Sequence, residues 1–497
     1  MKTNSLDFDA QALREKILDL AMRGKLVKQD PNDEPASVLL EKIKAEKEQL
    51  IKEKKIKKSK LLPPISDEEK PFEIPDSWEW VRLGDIGAWA AGATPSRKHP
   101  EYYGGTIPWL KTGDLNDGIV NETSEKITEL GVKNSSVKVN EPGNVLIAMY
   151  GATIGKLGIV GNQELVTNQA CCGCSLFDGV HNWYLFYYLL ASRKRLIDLG
   201  SGGAQPNISK NKIEKFTFPL PPLEEQSRIA AKIAQLFALL RKVESSTQQY
   251  AKLQTLLKSK VLDLAMRGKL VKQDPNDEPA SVLLEKIKAE KAELVKEKKI
   301  KKSKPLPPIA DDEKPFEIPD SWEWVRLGEI LALEKGSIRR GPFGSSLKKA
   351  YFVPKSHNTY KVYEQGNAIN HTIDYGSYYI SAQKYDELKS FAIRPGDIII
   401  SGAGTIGKTY ILPPESPEGV INQALIRMRL NNKLITNDFF LLLFKQKVSL
   451  LNKKAKGTAI KNMFSIAHMK EDIVWALPPI SEQNRIVKQL QEISKMM

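Results

Sequence analysis

The stretch from Glu224 to Met266 constrains the fold more than any other part of this 497-residue chain. Its apolar residues recur at heptad a/d spacing, which predicts one long helix with a narrow apolar seam. At about 1.5 Å per residue the helix would span about 64 Å, longer than an ordinary domain helix. A seam of this kind requires a partner helix, and the alternative is a solvent-covered helix between domains. The predicted seam residues are Ile229, Ile233, Leu236, Leu240, Val243, Leu257, Val261 and Leu264.

The two ends of the chain supply a partner for this seam. The matching apolar residues are Ile486, Leu490 and Ile493 near the C-terminus and Leu6, Leu13, Ile17 and Leu20 near the N-terminus. In the best register only residues 241–244 of the long helix lack a counterpart. Helices this short are marginal alone in water, so both should pack antiparallel to the long helix. This arrangement predicts that Met1 lies near Met497 and that the chain is a two-fold repeat opened inside one helix.

A second repeat is almost identical in sequence. Residues 16–84 recur as residues 260–328 with seven substitutions, far too similar for chance. Each copy predicts a helix, a loop rich in Pro and Asp, a second helix and an extended segment that leads to a Trp-Glu-Trp motif. In the first copy the second helix is predicted from Ala36 to about Lys58.

Each copy carries a lysine arm, residues 42–60 in the first and 286–304 in the second. Each arm holds nine lysines and three glutamates, so the two supply 12 of the +15 net charges. The globular remainder is only mildly basic. The arms could bind phosphates or a partner subunit, or they could be solvated helical faces.

Two globular segments, residues 78–219 and 322–476, follow one plan. Both show short alternating strands, and both contain Thr-Ile-Gly-Lys, at residues 153–156 and 405–408, and Asn-Gln-Ala, at residues 168–170 and 422–424. A helix predicted from about Asn182 to Leu199 returns near Asn437 to Leu451. Because the sequence between these landmarks diverges, the pattern indicates one scaffold acting on two different targets.

Composition narrows the class of protein. No apolar run reaches the about 18 residues that a membrane span needs, and the polar N-terminus is unlike a signal peptide. Cys171, Cys172 and Cys174 are too crowded for a disulfide framework, which favours a reducing cytoplasm. A sequence pI of about 9.3 favours a polyanionic partner.

The apparent catalytic motifs fail on their context. Residues 402–409 match a P-loop, but Pro413 and Pro414 follow too soon for the helix that a P-loop opens. The glycine-rich residues 198–203 end a predicted helix, whereas a methyltransferase loop follows a strand. The cysteine cluster has no second ligand pair for zinc. We therefore expect no catalytic residue, no metal and no cofactor in this chain.

The combined motifs resemble the specificity (S) subunit of type I restriction–modification systems. The resemblance covers essentially the whole chain and depends on Pro-Asp-Ser-Trp-Glu-Trp-Val-Arg-Leu-Gly, the Thr-Ile-Gly-Lys hairpin, Asn-Gln, and Leu-Pro-Pro before Glu-Gln and Arg-Ile. It implies an α+β fold in which two similar α/β target-recognition domains are separated by an antiparallel coiled coil of long helices, in a pseudo-two-fold, circular arrangement. The implied domains are an N-terminal helical region (1–77), target-recognition domain 1 (78–219), a central region (220–321), target-recognition domain 2 (322–476) and a C-terminal helix (477–497).

The resemblance also implies a function. Such a chain would read a bipartite, asymmetric site in double-stranded DNA, dock two methyltransferase (M) subunits and, through them, restriction (R) subunits, and work in the cytoplasm without catalytic activity of its own. The long N-terminal region with its lysine arm departs from many relatives. The alternatives are a P-loop or methyltransferase enzyme, and a coiled-coil scaffold without DNA specificity.

Candidate DNA-binding residues come from glycine-rich and basic segments, because amides and cations contact base edges and phosphates. In the first globular segment they are Thr94, Arg97, Lys98, Lys111, Thr112 and Lys156. In the second they are Arg339, Arg340, Ser345, Lys348, Lys349, Tyr363, Gln365, Asn367 and Lys408.

Overall fold

The computed structural model describes residues 8–58, 61–200, 206–403, 405–454 and 465–496, with residues 446–454 described by their backbone only. The chain divides into an N-terminal unit, which ends at Gln249, and a C-terminal unit, which begins at Tyr250. The predicted seam residue Leu6 and the predicted neighbours Met1 and Met497 lie outside the described residues.

The N-terminal unit contains helices at both ends and strands between them. Its elements are α1 Ala10–Met22, α2 Ala36–Lys52, β1 Glu79–Arg82, β2 Gly87–Ala91, β3 Tyr103–Leu110, β4 Gly118–Val120, β5 Glu125–Ile127, α3 Glu129–Lys133, β6 Val139–Asn140, β7 Val145–Ala148, β8 Leu157–Val160, β9 Leu165–Thr167, β10 Cys171–Leu176, α4 Asn182–Ala191, α5 Arg193–Gly200, α6 Lys210–Lys215, β11 Thr217–Leu220 and the first part of α7 Leu223–Met266.

Within the described residues the C-terminal unit follows a similar plan with two fewer strands. After the second part of α7 its elements are α8 Ala280–Lys296, β12 Glu323–Arg326, β13 Ile338–Arg340, β14 Thr359–Tyr363, α9 Gln365–Asn370, β15 Tyr379–Ser381, α10 Ala382–Glu387, β16 Ile398–Ser401, β17 Thr409–Ile411, β18 Gly419–Ile421, β19 Leu425–Met428, α11 Asn437–Lys454, α12 Ile466–Asp472, β20 Val474–Leu477 and α13 Ile480–Met496.

In the described residues, each unit contains two sheets and a two-stranded ribbon. In the N-terminal unit the sheets have the orders β2-β10-β7-β8-β4 and β5-β3-β9-β6, and β1 pairs with β11. In the C-terminal unit the orders are β13-β19-β16-β17 and β15-β14-β18, and β12 pairs with β20. In both units the chain leaves one sheet for the other at Asn-Gln-Ala, between β9 and β10 and between β18 and β19. The predicted mixed fold with two similar α/β segments is confirmed.

The long helix α7 begins one residue before the predicted start and ends at the predicted Met266. The second helix of each repeat is shorter than predicted, since α2 ends at Lys52 rather than near Lys58. Lys54 and its counterpart Lys298 adopt left-handed φ angles of 58° and 59°, a conformation that ends helices.

The aromatic helix α4 fills the core of the N-terminal unit. Tyr184, Phe186 and Tyr188 are almost wholly buried in one cluster with Ile229 and Ile233 of α7. Burying such side chains contributes about 1.5–3 kcal/mol each. The helix predicted over 182–199 is two helices, because α4 ends at Ala191 and α5 begins at Arg193.

A buried glutamate joins each unit to its helix. Glu225 of α7 accepts a 2.9 Å hydrogen bond from the Trp78 indole, and Glu482 of α13 accepts a 2.9 Å bond from Trp322. Burial raises the pKa of both carboxyl groups. Because the same bond recurs in both units, α13 takes the place in the C-terminal unit that the start of α7 takes in the N-terminal unit.

A buried arginine closes the base of each unit in the same way. Arg82 donates to the carbonyls of Pro63, Pro64 and Lys215 and forms an ion pair with Glu69. In the C-terminal unit Arg326 contacts the equivalent carbonyls and carboxylate. The segment after each lysine arm is therefore fixed to the β1–β11 or β12–β20 ribbon.

Helix α1 runs antiparallel to the first part of α7, as predicted. Arg14 forms an ion pair with Glu244, whereas Asp33, further along the chain, pairs with the earlier residue Arg228. In the C-terminal unit, Ile486 is buried and Leu490 is partly buried in one cluster with Ala265. Both terminal helices thus cover an end of α7 within their own unit.

The exposure of the predicted seam residues is mixed. On α1 the buried residues are Ala10, Leu18, Ala21 and Met22. Leu13 is 43% exposed, so its placement in the seam is wrong, and Ile17 and Leu20 are half-buried. The buried face is rotated because α1 also packs against α4.

Along α7 the predicted seam is buried only towards the two ends. On this helix Ile229, Ile233, Leu240 and Val261 are buried, and Leu236 and Leu264 are half-buried, as is Ile493 on α13. Val243 and Leu257 are 44% and 49% exposed, so the prediction is wrong for these two. Burial on α7 stops at Leu240 and resumes at Val261.

Candidate nucleic-acid interface

Several strands of the N-terminal unit end at one edge, and their loops form a common surface. Strand β2 ends opposite the start of β10, and β7 ends opposite Cys171. The end of β3 joins them because the Asn168 amide donates a 2.9 Å hydrogen bond to the Leu110 carbonyl. We call the surface formed by residues 92–98, 111–112, 151–156 and 168–169 the strand-end face of this unit.

The C-terminal unit builds a strand-end face with the same backbone bonds. The Asn422 amide donates to the Tyr363 carbonyl at 2.9 Å, and the Gly402 amide donates to the Ala424 carbonyl at 2.7 Å, as the Met149 amide does to Ala170. This face is formed by residues 341–349, 364–365, 402–408 (without residue 404) and 422–423. The two faces therefore share a frame in which each loop has a counterpart.

A glycine lets the first loop cross the Asn-Gln turn in each unit. A Cβ atom at Gly92 would lie 2.1 Å from the Thr167 carbonyl oxygen, and one at Gly341 would lie 1.8 Å from the Asn422 carbonyl oxygen. Such contacts are impossible without moving the backbone. Glycine at these positions brings the loop and the turn together.

The predicted residues of the N-terminal unit all lie on this face. Thr94, Arg97 and Lys98 are exposed on the loop after β2, whereas Lys111 and Thr112 are half-buried at the end of β3. Lys156 is half-buried in the hairpin between β7 and β8.

Two of these cations are already paired. Arg97 and Lys111 each contact Glu125 at 2.8 Å, and the Arg97 guanidinium also lies 4.1 Å from the centre of the Tyr103 ring. Hydrogen bonds from Lys111 and Arg97 lower the pKa of Glu125. The pairing holds both cations at the edge of β3 and partly neutralises them.

In the C-terminal unit the exposed predicted residues are Ser345, Lys348, Lys349 and Lys408. Arg339 and Arg340 are half-buried on β13, and Arg340 Nε lies 3.4 Å from the Gln423 carbonyl oxygen. Gln365 opens α9 and is half-buried. These side chains lie on or beside the strand-end face.

Two predicted base-reading residues are structural instead. Tyr363 is fully buried and its hydroxyl donates to the Pro417 carbonyl at 2.8 Å. Asn367 is fully buried and its amide donates to carbonyls that include Thr372. Because these polar groups are used inside the fold, the prediction that the two residues contact bases is wrong.

The structure also reveals exposed side chains that the sequence prediction left out. Phe343 lies two residues after Gly341 and is 85% exposed. Gln169 and Gln423 are exposed in the two Asn-Gln turns. Aligning Gly92 with Gly341 in the sequence would have placed Phe343 opposite Thr94.

The rejected catalytic motifs have the predicted structural context. Strand β17 begins at Thr409, the last residue of the P-loop-like sequence, and pairs antiparallel with β16, whereas a P-loop opens into a helix. Burial raises the pKa of the Cys172 thiol to about 12, and the other two cysteines are also buried. Helix α5 ends at Gly200, and residues 201–203 of the glycine-rich segment lie outside the described residues.

The described part of the chain offers neither a metal site nor a membrane-spanning helix. It contains no cluster of His, Cys, Asp and Glu suited to a metal ion. None of the helices described combines the length and apolar character needed to span a membrane.

Comparison with known proteins gives the family. A model of the type I restriction modification DNA specificity domain matches twice, at residues 75–254 and 319–497. The type I restriction enzyme EcoAI specificity subunit of Escherichia coli is 32% identical, over 98% of this chain and 89% of that protein. The EcoEI specificity subunit of the same species is 31% identical, over 98% and 90%.

Among solved structures, the HsdS subunit from Thermoanaerobacter tengcongensis matches with a TM-score of 0.47 and 21% identity, over 86% of this chain and 92% of that one. The family model covers both units, and the two Escherichia coli proteins align along nearly the whole chain. The chain therefore belongs to the type I restriction modification DNA specificity family, a family of non-catalytic DNA-recognition subunits.

Proposed function

We propose that this DNA-recognition subunit reads a bipartite, asymmetric site in double-stranded DNA, with one half-site contacted by each strand-end face. The observation that supports this proposal is the combination of one backbone frame with different side chains. Lys111 and Glu364 hold equivalent positions, because the residue before each accepts the same bond from the Asn-Gln turn. Side chains of opposite charge at one place favour different base edges or backbone geometries.

The exposed cations would position the DNA, and the amides and loop side chains would specify it. In the N-terminal unit Arg97 and Lys98 are the exposed cations of the face. In the C-terminal unit Lys348, Lys349 and Lys408 fill that role. In this proposal residues 78–219 and 322–476 act as the two target-recognition domains, framed by regions 1–77, 220–321 and 477–497.

We further propose that α7 docks the methyltransferase subunits, which recruit restriction subunits in turn, within the cytoplasm. Supporting this role, Tyr250, Leu253 and Leu256, which recur every three residues on α7, are 54–64% exposed. Clustered exposed apolar side chains are typical of protein interfaces. Two copies of the frame in one chain favour two methyltransferase subunits.

An exchange of one domain tests the bipartite reading. Replacing residues 85–219 with the equivalent segment of another family member should change one half of the methylated site and leave the other half unchanged. The measurement is genome-wide mapping of modified adenines in cells that express the complete system. A change in both halves would contradict the proposal, and sequence-blind binding by the unexchanged complex would favour a scaffold instead.

A further inference from the structure

The Asn-Gln turn of each unit contains an asparagine with the same structural role in both units and a glutamine without a common one. Asn168 Oδ1 accepts a hydrogen bond from the Ala170 amide at 3.2 Å, and Asn422 Oδ1 accepts one from Ala424 at 3.0 Å. Each asparagine therefore stabilises the turn that switches the chain between sheets. The glutamine that follows it, Gln169 or Gln423, projects from the turn and is exposed.

The environment of the two glutamines differs. The Gln169 side-chain carbonyl accepts a hydrogen bond from the Thr94 hydroxyl. The residue at the position of Thr94 in the other unit is Phe343, which has no hydroxyl to donate. Within the described residues, no hydrogen bond involves the side-chain amide of Gln423. No contact within the described fold therefore explains why both units have glutamine at this position of the turn.

Outside the shared Thr-Ile-Gly-Lys and Asn-Gln-Ala motifs the loop residues of the two faces have diverged, whereas the glutamine is the same in both. Thr94 corresponds to Phe343, and Lys111 corresponds to Glu364. An exposed side chain that is retained in both units, beside loop positions that differ, indicates a requirement that both units share. Since that requirement does not come from the fold, it comes from a ligand that both faces contact.

We propose that Gln169 and Gln423 contact the same kind of base, an adenine, each in its own half-site. A primary amide presents a donor and an acceptor in one plane, which matches N7 and the N6 amino group of adenine in the major groove. A phosphate would instead favour the cations that both faces already carry. The inference deepens the proposed reading of DNA and depends on it, and it names the side chain of each face that would contact this base.

The test combines protein variants with DNA variants, and it uses the chain purified together with its partner subunits. Binding is measured at one salt concentration to duplexes in which each base pair of both half-sites is changed in turn, for the wild type, Gln169→Ala and Gln423→Ala. Each variant should lose discrimination by about 5- to 150-fold at one A·T pair of a single half-site. Replacing that adenine with 7-deazaadenine should weaken the wild type but not the corresponding variant.

Gln163→Ala is the matched control. Gln163 is also exposed, but it lies in the turn before β9, at the opposite end of this strand from Gln169, and its amide donates to the Asn121 carbonyl at 3.1 Å. This variant should keep the wild-type preference at each base pair. Urea unfolding of all three variants reports any loss of fold separately.

The possible results distinguish a failure of the proposed function from a failure of the shared-base inference. If the wild-type complex binds all sequences equally, the proposed function is wrong. If the wild type discriminates and both glutamine variants keep its full preferences, only the shared-base inference is wrong. An even loss of affinity across all duplexes would also overturn it, since that result indicates a phosphate contact.

Discussion

Arg82 should be one of the most sensitive side chains in the N-terminal unit. It is 4% exposed and donates to the carbonyls of Pro63, Pro64 and Lys215 while forming an ion pair with Glu69. We consider Arg82→Met, which keeps most of the side-chain volume and removes every donor. The substitution leaves three carbonyls and a carboxylate without their partner.

The expected loss of stability depends on how far water can hydrate the carbonyl and carboxylate oxygens that lose their hydrogen bonds to Arg82. Breaking a buried ion pair by removing one partner costs about 3–5 kcal/mol. The Glu69 side chain is 42% exposed and can be hydrated again, which places the loss at the low end. We expect the β1–β11 ribbon to be destabilised by about 3 kcal/mol, equivalent to about a 150-fold rise in its open population.

Hydrogen exchange measures this effect with an internal reference. Peptides that cover 79–82 and 217–220 should lose protection in the Arg82→Met protein, whereas peptides that cover 323–326 and 474–477 should not. The matched variant Arg326→Met should reverse the pattern, because Arg326 makes the equivalent bonds. A loss below about tenfold, or an equal loss in both ribbons, would refute the reasoning.

Three further predictions concern pH, salt and base reading. Burial raises the pKa of Glu225. The folded protein therefore binds a proton at Glu225 more tightly than the unfolded chain does, and the stability that this adds at low pH is lost as the pH rises through the raised pKa. Urea unfolding from about pH 5 to 8 should therefore show Glu225→Gln gaining on the wild type towards high pH; a constant difference would contradict this. If the first lysine arm contacts phosphate, replacing Lys54, Lys55, Lys57 and Lys58 with Gln should weaken binding equally for all DNA sequences and reduce its dependence on salt. If DNA binding is unchanged and assembly with the partner subunits fails, the arm is a subunit contact. Phe343→Ala should alter base preference in one half-site only, by about 1–3 kcal/mol if the ring contacts a thymine methyl group, and an effect on both half-sites would contradict a local contact.

The repeat in the sequence predicted the frame of the molecule well. The repeat of residues 16–84 as 260–328, together with the heptad spacing, was enough to predict α7 and its pairing with the terminal helices. Both signals can be read from the sequence because they depend only on the spacing of residues along the chain. The phase of α1 could not be predicted in this way. Its buried face depends on contact with α4, and the sequence does not show which helix approaches from the side.

The strand-end faces were predicted in outline and missed in detail. Basic and glycine-rich segments led to Arg97, Lys98, Lys348 and Lys349, all of which are exposed. Asn367 misled the prediction because an amide that closes a turn and an amide that reads a base look the same in a sequence. Only the position of the surrounding carbonyls separates these two uses.

The buried bonds at the base of each unit have a consequence for evolution. The Trp78–Glu225 and Trp322–Glu482 bonds and the two arginine clusters involve residues outside the loops of the strand-end faces. Substitutions in exposed loops away from such features usually change stability by only about 0.5 kcal/mol or less. New sequence preferences can therefore arise one loop at a time, in one unit and then the other, without a compensating change in the core. Gly92 and Gly341, which contact the Asn-Gln turns, are the exception, because any side chain at these positions would displace the backbone. We expect them to separate the loop residues that can change in sequence from the residues that cannot.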